Sequence, residues 1–434
     1  MGNKRHRDII SPSSSTAAKP SKALPQPAIV PPKRLPGAAY WRRINPKLHV
    51  EDAQYLQECA TVGSLSVAEV ATLKARLIND GFFTLEDLPW YPSLRAMREG
   101  VRRLQRRGWP ATLLLVYDEA WVMAHQISAL LAAVSGGCAN SLDTLAWSVT
   151  PSLGQAGFAP HRDRQPADVP NSFRADGTPK YTTCWVALSE ASVENSCLYL
   201  VPRGHDAGYD VGDDHSADAE DPLITTLRSD AAVQAVRACP LRPGGCVIFS
   251  HRAMHWGSSG RPDCDKARIS ISFGHSDASF ERPYFARPDR ELPYPKTGMR
   301  LALASAQLIA YHERFEFGLP MLRRFGATFK ARKRRFTSEY AEKIAAEFMA
   351  ALHDRQADVA ATLAQKKTEK RQGKRAWTEA LAPVALAAED SNEEGDEDEE
   401  EADAALDDAL DAMLDAQAAA EGNLYDDYDG LDDE

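Results

Sequence analysis

His161-Arg162-Asp163 sets an imidazole and a carboxylate two residues apart. On an extended strand residues i and i+2 face the same side, so both could reach one metal ion. The spacing alone is weak, because a chain with 11 histidines repeats it at His6-Arg7-Asp8, in a basic tail, and at His275-Ser276-Asp277, downstream of the other ligand candidates. A non-haem iron(II) centre needs two histidines and one carboxylate on one face, leaving open positions for a bidentate cosubstrate and dioxygen. The second histidine must therefore come from elsewhere. Leu241 to Gly257 supplies it: a Pro243-Gly244-Gly245 turn, a buried strand from Cys246 to Ser250, then His255. His251 competes, but Trp256-Gly257-Ser258 follows His255 and favours it, which leaves His251 as a buried neighbour of the site. Arg268 opens the alternating strand Arg268 to Phe273. A turn through Gly257 to Asp265 would fold that strand back beside the first and bring a guanidinium near His255, where its planar fork suits a carboxylate. Arg261, in the turn Gly260-Arg261-Pro262-Asp263, reads as solvated.

The elements that must position these groups are short and β-rich. Thr144 to Val149, Thr182 to Leu188, Cys197 to Val201, Cys246 to Ser250 and Arg268 to Phe273 read as strands between turns, a spacing that suits a β-sandwich or jelly roll. Helices flank them. Ser66-Val67-Ala68-Glu69 is a capping box opening a helix from Val70 to Ile78, with Val70, Leu73 and Leu77 on one face. Gly81 to Leu85 follows as a short strand, and Glu119 to Val134 as a second helix ended by Gly136-Gly137. Past Pro293-Tyr294-Pro295, helices are predicted over 299–312, 337–352 and 355–367. The fold class is α+β.

The order H-x-D, His, Arg, with its surrounding blocks, resembles the phytanoyl-CoA dioxygenase-like family of Fe(II)/2-oxoglutarate-dependent oxygenases over roughly residues 60–285. Matching blocks are Ile78-Asn79-Asp80-Gly81-Phe82, like the family's D-G-F turn, and Cys184-Trp185-Val186-Ala187-Leu188. Glu194 to His205 is similar to N-G-C-L…V-P-G-S-H, and Pro243 to Phe249 to P-G-D-…-F-F. The resemblance implies a double-stranded β-helix (jelly-roll) core and an Fe(II) ion held by His161, Asp163 and His255. It also implies Arg268 on the distal carboxylate of 2-oxoglutarate, Trp185 lining the cosubstrate pocket and Ser270 assisting Arg268, with no catalytic residue beyond these ligands. The implied reaction hydroxylates a small organic substrate with dioxygen, releasing succinate and CO2. An Asp at 163 argues against halogenation, and Arg at 268 against the branches that use Lys. This sequence departs from the family at Gly245, at Arg203 and in a long acidic insertion, 206–238. The insertion and the loop 164–180 are the expected lids.

Charge divides the chain further. Its formal net charge is -11, but residues 1–45 hold nine Lys/Arg against one acid and residues 389–434 hold twenty-two acids and no base. Removing that +8 and -22 leaves +3 for residues 46–388. Four parts follow: a disordered basic arm (1–45), a jelly-roll oxygenase domain (46–290), a helical extension (291–388) and a largely disordered acidic tail (389–434) in which Leu406, Leu410, Met413 and Leu414 recur at helical spacing. The tail suits a basic protein partner or the chain's own arm. The basic runs Lys330 to Arg335 and Lys366 to Arg375 suit a solvated helix face or a nuclear-import or polyanion patch, and a nucleic-acid partner is not expected. No apolar run is long enough to span a bilayer, and the N-terminus fits neither a signal peptide nor an N-myristoylation site. Seven scattered cysteines without a C-x-x-C pair fit a reducing compartment, so an intracellular site, cytoplasmic or nuclear, is expected. Two rivals stand beside the oxygenase: a zinc or manganese hydrolase, which has no use for Arg268, and a non-catalytic interaction protein that keeps the fold and works through its tails.

Overall fold

The computed structural model describes residues 34–59, 65–86, 88–90, 92–164, 171–213, 220–315 and 317–355. The expectations for the arm before residue 34, the helix 355–367 beyond its first residue and the acidic tail lie outside them. Among the described residues eight strands form two antiparallel sheets. Phe82–Leu85 (β1), Cys246–Ser250 (β6), Tyr181–Ala187 (β3), Arg268–Ser276 (β8) and Ala139–Val149 (β2) lie side by side in that order. Arg237–Cys239 (β5), Leu198–Leu200 (β4) and His255–Gly257 (β7) make the smaller sheet.

Alternation along the strands explains how the large sheet is buried on both faces. Cys184 and Val186 of β3, Cys246 and Ile248 of β6, and Ile269, Ile271 and Phe273 of β8 join one apolar core. Their neighbours Trp185, Ala187, Val247 and Phe249 pack instead with Leu198, Leu200 and Cys239 of the small sheet. Helices cover the first face. Val67–Asn79 carries the Ser66/Glu69 capping box and buries Leu73 and Leu77. Asp118–Val134 and Thr297–Ala310 add long apolar faces to the same core, and so does helix 338–355 through Ile344, Ala351 and Leu352. Three helices in this layer escape the sequence reading, the first being Ala38–Ile44, which lies in the arm read as disordered yet buries Trp41 and Ile44 in this core. Leu94–Gln105 buries only Met97, Gly100, Val101 and Leu104 among its many arginines, and Leu319–Lys330 buries Leu322, Phe325, Thr328 and Phe329. Among the described residues no helix is long and apolar enough to cross a membrane.

Two local expectations change. The Arg268 strand does not lie beside Cys246–Ser250. Both edges of β6 are taken, by β1 (Phe82 opposite Phe249) and by β3 (Trp185 opposite Val247), so β8 pairs on the far side of β3 (Trp185 opposite Ser272) and with β2. His161-Arg162-Asp163 is not part of a regular strand either. Only His161 bridges, exchanging backbone hydrogen bonds of 3.0 Å with His255 in both directions, and the chain bends after it. At the bend the Arg162 side chain enters a buried ion-pair cluster.

Candidate functional site

His161, Asp163 and His255 meet where that bridge joins the bent segment to β7. Each offers one ligand atom, and the three atoms lie within 4.8 Å of one another, the one such group among the described residues. Nε2 of each histidine is 3.6 Å from Asp163 Oδ1. The opposite ring nitrogens are committed: His161 Nδ1 is 2.7 Å from the Ala159 carbonyl and His255 Nδ1 3.0 Å from that of Ala253. A carbonyl only accepts, so each Nδ1 carries the proton and each Nε2 presents a lone pair to the centre. Thr183 donates to Asp163 Oδ2 at 2.5 Å, leaving Oδ1 as the free donor atom. Burial pushes the Asp163 carboxyl up, but the two histidines and Thr183 outweigh it and hold the group below its ordinary value. Burial lowers His255 to about 4, so it is neutral at physiological pH. Two imidazoles and one carboxylate, each held by a hydrogen bond from behind, are a set that can hold iron.

Across the pocket, Arg268 is 2% exposed. It donates from Nε to the Ser196 carbonyl (3.0 Å), from Nη1 to Ser270 Oγ (2.8 Å) and from Nη2 to Ser196 Oγ (3.4 Å), and its guanidinium carbon is 5.3 Å from the Trp185 ring centre. None of these partners is a carboxylate. Burial without a counter-charge lowers this arginine to about 10, and a buried cation so placed is a seat for an anion. Ser196 was not foreseen as part of the site. It occupies φ 76, a left-handed conformation that glycine favours, at the position where the resembled family's N-G-C block has glycine. One pocket of about 750 Å3, its open mouth included, holds both groups, lined by residues that include His161, Asp163, His255, Arg268, Ser270 and Trp185.

Residues 117–266 match the family model of phytanoyl-CoA dioxygenase. This part of the chain resembles the phytanoyl-CoA dioxygenase family. Phytanoyl-CoA dioxygenase domain-containing protein 1 of Mus musculus is 25% identical over 114 residues, which are 26% of this chain and 39% of that protein, so the chain spans well under half of its length. Among solved structures, the epimerase SnoN in complex with Fe3+, alpha ketoglutarate and nogalamycin RO is 22% identical, with 50% of this chain and 88% of that chain covered and a TM-score of 0.39. EctD from S. alaskensis with 2-oxoglutarate and 5-hydroxyectoine is 13% identical, with 50% and 77% covered and a TM-score of 0.33.

In the matched segment His161-Arg162-Asp163 is fixed from behind by a group the sequence does not reveal. The Arg162 side chain is fully buried and forks onto Asp206 (Nη1–Oδ2 2.6 Å, Nη2–Oδ1 2.7 Å), with Nε on Asp213 at 2.8 Å. It also donates to the carbonyl of Arg252. The start of the 206–238 insertion is thus a strut for the ligand segment. No described residue of 206–238 or 164–180 lines the pocket. Arg162→Met should strand two buried carboxylates and cost roughly 3–5 kcal/mol of stability. Urea unfolding checks this, and an unchanged midpoint contradicts it. Close packing adds a second constraint: a Cβ on Gly157 would fall 2.5 Å from the Gly257 Cα, so the backbones meet there only as glycines.

The other candidates sit elsewhere. His251 is buried with Nδ1 3.1 Å from the Tyr181 carbonyl, and His275 holds Ser128 Oγ at 3.0 Å through Nε2. Asp277 pairs with Arg174 at 2.7 Å, which separates it from His275. Arg261 is exposed and pairs with Asp263 and Glu194, and His205 is exposed. Burial lowers His251 to about 3 and His275 to about 4. Their unfolded values lie near 6.5, so between about pH 6.5 and 4 the unfolded chain binds more protons and stability falls as pH falls. The metal-free protein should therefore have a lower urea midpoint at about pH 5 than at about pH 7.5; an equal or higher one contradicts the assignment.

Proposed function

We propose that residues 46–290 form a jelly-roll, non-haem Fe(II)- and 2-oxoglutarate-dependent dioxygenase that hydroxylates an organic substrate with release of succinate and CO2. The observation that carries this reading is a shared pocket: an oriented His161/Asp163/His255 set and a buried arginine that pairs with no carboxylate among the described residues. Iron, when bound, would activate dioxygen toward a C–H bond, with 2-oxoglutarate giving up two electrons as it becomes succinate and CO2. The chain's own residues hold and orient. His161 Nε2, His255 Nε2 and Asp163 Oδ1 would ligate the ion on one face. Arg268, supported by Ser270 and Ser196, would fix the distal carboxylate of 2-oxoglutarate, and Trp185, Leu198 and Phe249 would keep water from it. A hydrolase would leave Arg268 without a task, and a purely structural role would leave the whole ligand set without one.

Anaerobic titration of the purified protein with Fe(II) and 2-oxoglutarate tests the reading directly. A visible metal-to-ligand charge-transfer band is expected. A folded protein that gives none refutes it.

A further inference from the structure

The pocket has a second polar wall, at the other end of β8 from Arg268. Asp143 lines it. In β2, Asn140 pairs with His275 and Thr144 with Phe273, so residues 141–143 bulge opposite Gly274, with Leu142 at φ 75. Bulges of this kind re-aim side chains beside sites. The Tyr181 and Tyr311 hydroxyls both donate to the Asp143 carboxylate at 3.1 Å, and Arg164 Nη2 is also 3.1 Å away. Gly274 leaves room for this arrangement, since a Cβ there would fall 2.2 Å from the Tyr181 hydroxyl oxygen. A run of ring contacts links the wall to the metal set: His161 to Phe158 at 5.8 Å, then Phe158 to Tyr311 at 6.4 Å.

Charge decides what this wall would accept. Arg164 is forked onto Glu281 at 2.6 and 2.8 Å, so its charge is matched before Asp143 is counted. On the proposed reading, iron and Arg268 together balance Asp163 and the two carboxylates of 2-oxoglutarate. Asp143 then remains as the unmatched charge of the pocket. Arg314 lies over Phe158 but is exposed, where water screens it. Of the Asp143 oxygens, Oδ2 receives Tyr181 and Arg164 while Oδ1 receives Tyr311 alone, and a carboxylate oxygen accepts two bonds. Trp147, Phe158 and Tyr311 add aromatic surface to the same pocket.

The geometry points to a substrate subsite for a cation: Asp143 receives the ammonium of an amine substrate whose apolar body lies along Trp147 and Phe158. This deepens the oxygenase reading and rests on it for the word substrate. The test uses three probes of one shape on the full-length protein loaded anaerobically with Fe(II) and 2-oxoglutarate: phenylbutylamine, phenylbutanol and phenylbutyrate. Calorimetry should show the amine binding roughly tenfold or more tighter than the other two, as expected for a partly desolvated charge pair. Asp143→Asn should bring the amine to parity with the alcohol. Equal or tighter binding of phenylbutyrate, no binding of any probe, or a preference that survives Asp143→Asn overturns the subsite. Should that variant fail to fold, Tyr311→Phe replaces it. It frees Oδ1 and keeps the charge, so the amine preference must persist or grow, and a fall to parity overturns the proposal. The charge-transfer band reports separately on the oxygenase reading, so either can fail alone.

Discussion

Asp163→Ala is expected to abolish iron binding and turnover while leaving the fold intact. Asp163 is the hub of the set, since both histidine Nε2 atoms lie 3.6 Å from one of its oxygens. The effect should exceed the roughly 10–100-fold loss seen when a mere supporting partner of a metal ligand is removed. The fold should survive because the two histidines are each tied to a carbonyl by Nδ1, independently of Asp163, and the bridge between His161 and His255 is made by backbone. Anaerobic Fe(II) titration followed by circular dichroism reads both parts. Unaltered iron affinity in a folded Asp163→Ala protein would remove Asp163 from the centre, and the iron reading with it.

Arg268→Ala should separate the cosubstrate from the metal. Iron affinity is expected to stay near wild type, because Arg268 touches Ser196, Ser270 and Trp185 but none of the three ligands. The requirement for 2-oxoglutarate should rise on the order of 10²-fold or more, since truncating one partner of a buried, hydrogen-bonded charge pair costs about 2–5 kcal/mol. Arg268→Lys should recover part of the loss, as a point charge without the fork. Titrating 2-oxoglutarate against the charge-transfer band of the iron-loaded variant is the measurement. Full activity at wild-type cosubstrate levels would favour the hydrolase instead.

What could be read locally was read well. The capping box at Ser66 and Glu69 specifies a helix start with side chains three residues apart, and the structure keeps it. Strands β3, β6 and β8 announce themselves by apolar and alternating runs, and they lie within a residue or so of the expected starts. The helix Leu94–Gln105 was missed because arginines 95, 98, 102 and 103 mask its thin apolar stripe, and that stripe counts only once a core is there to bury it. Order along the chain also sufficed to nominate the site. The structure brings His161, Asp163 and His255 together and sets Arg268 and Trp185 in the same pocket.

By itself, then, the sequence determined which side chains have the chemistry for a metal and an anion, because donor type and local spacing are written residue by residue. Tertiary structure decided the rest. That β3 stands between β6 and β8 follows from which strand edges were already occupied, a fact about pairing partners far apart in the chain. That Arg162 is a strut and Arg268 is open to an anion depends on which carboxylates came near: Asp206 and Asp213 reach the first, and among the described residues no carboxylate pairs with the second. That Asp143 faces the pocket depends on a bulge against Gly274. Two arginines or two aspartates look alike in a sequence. Burial and the charge of the nearest partner make them different, and both are set only when distant segments pack.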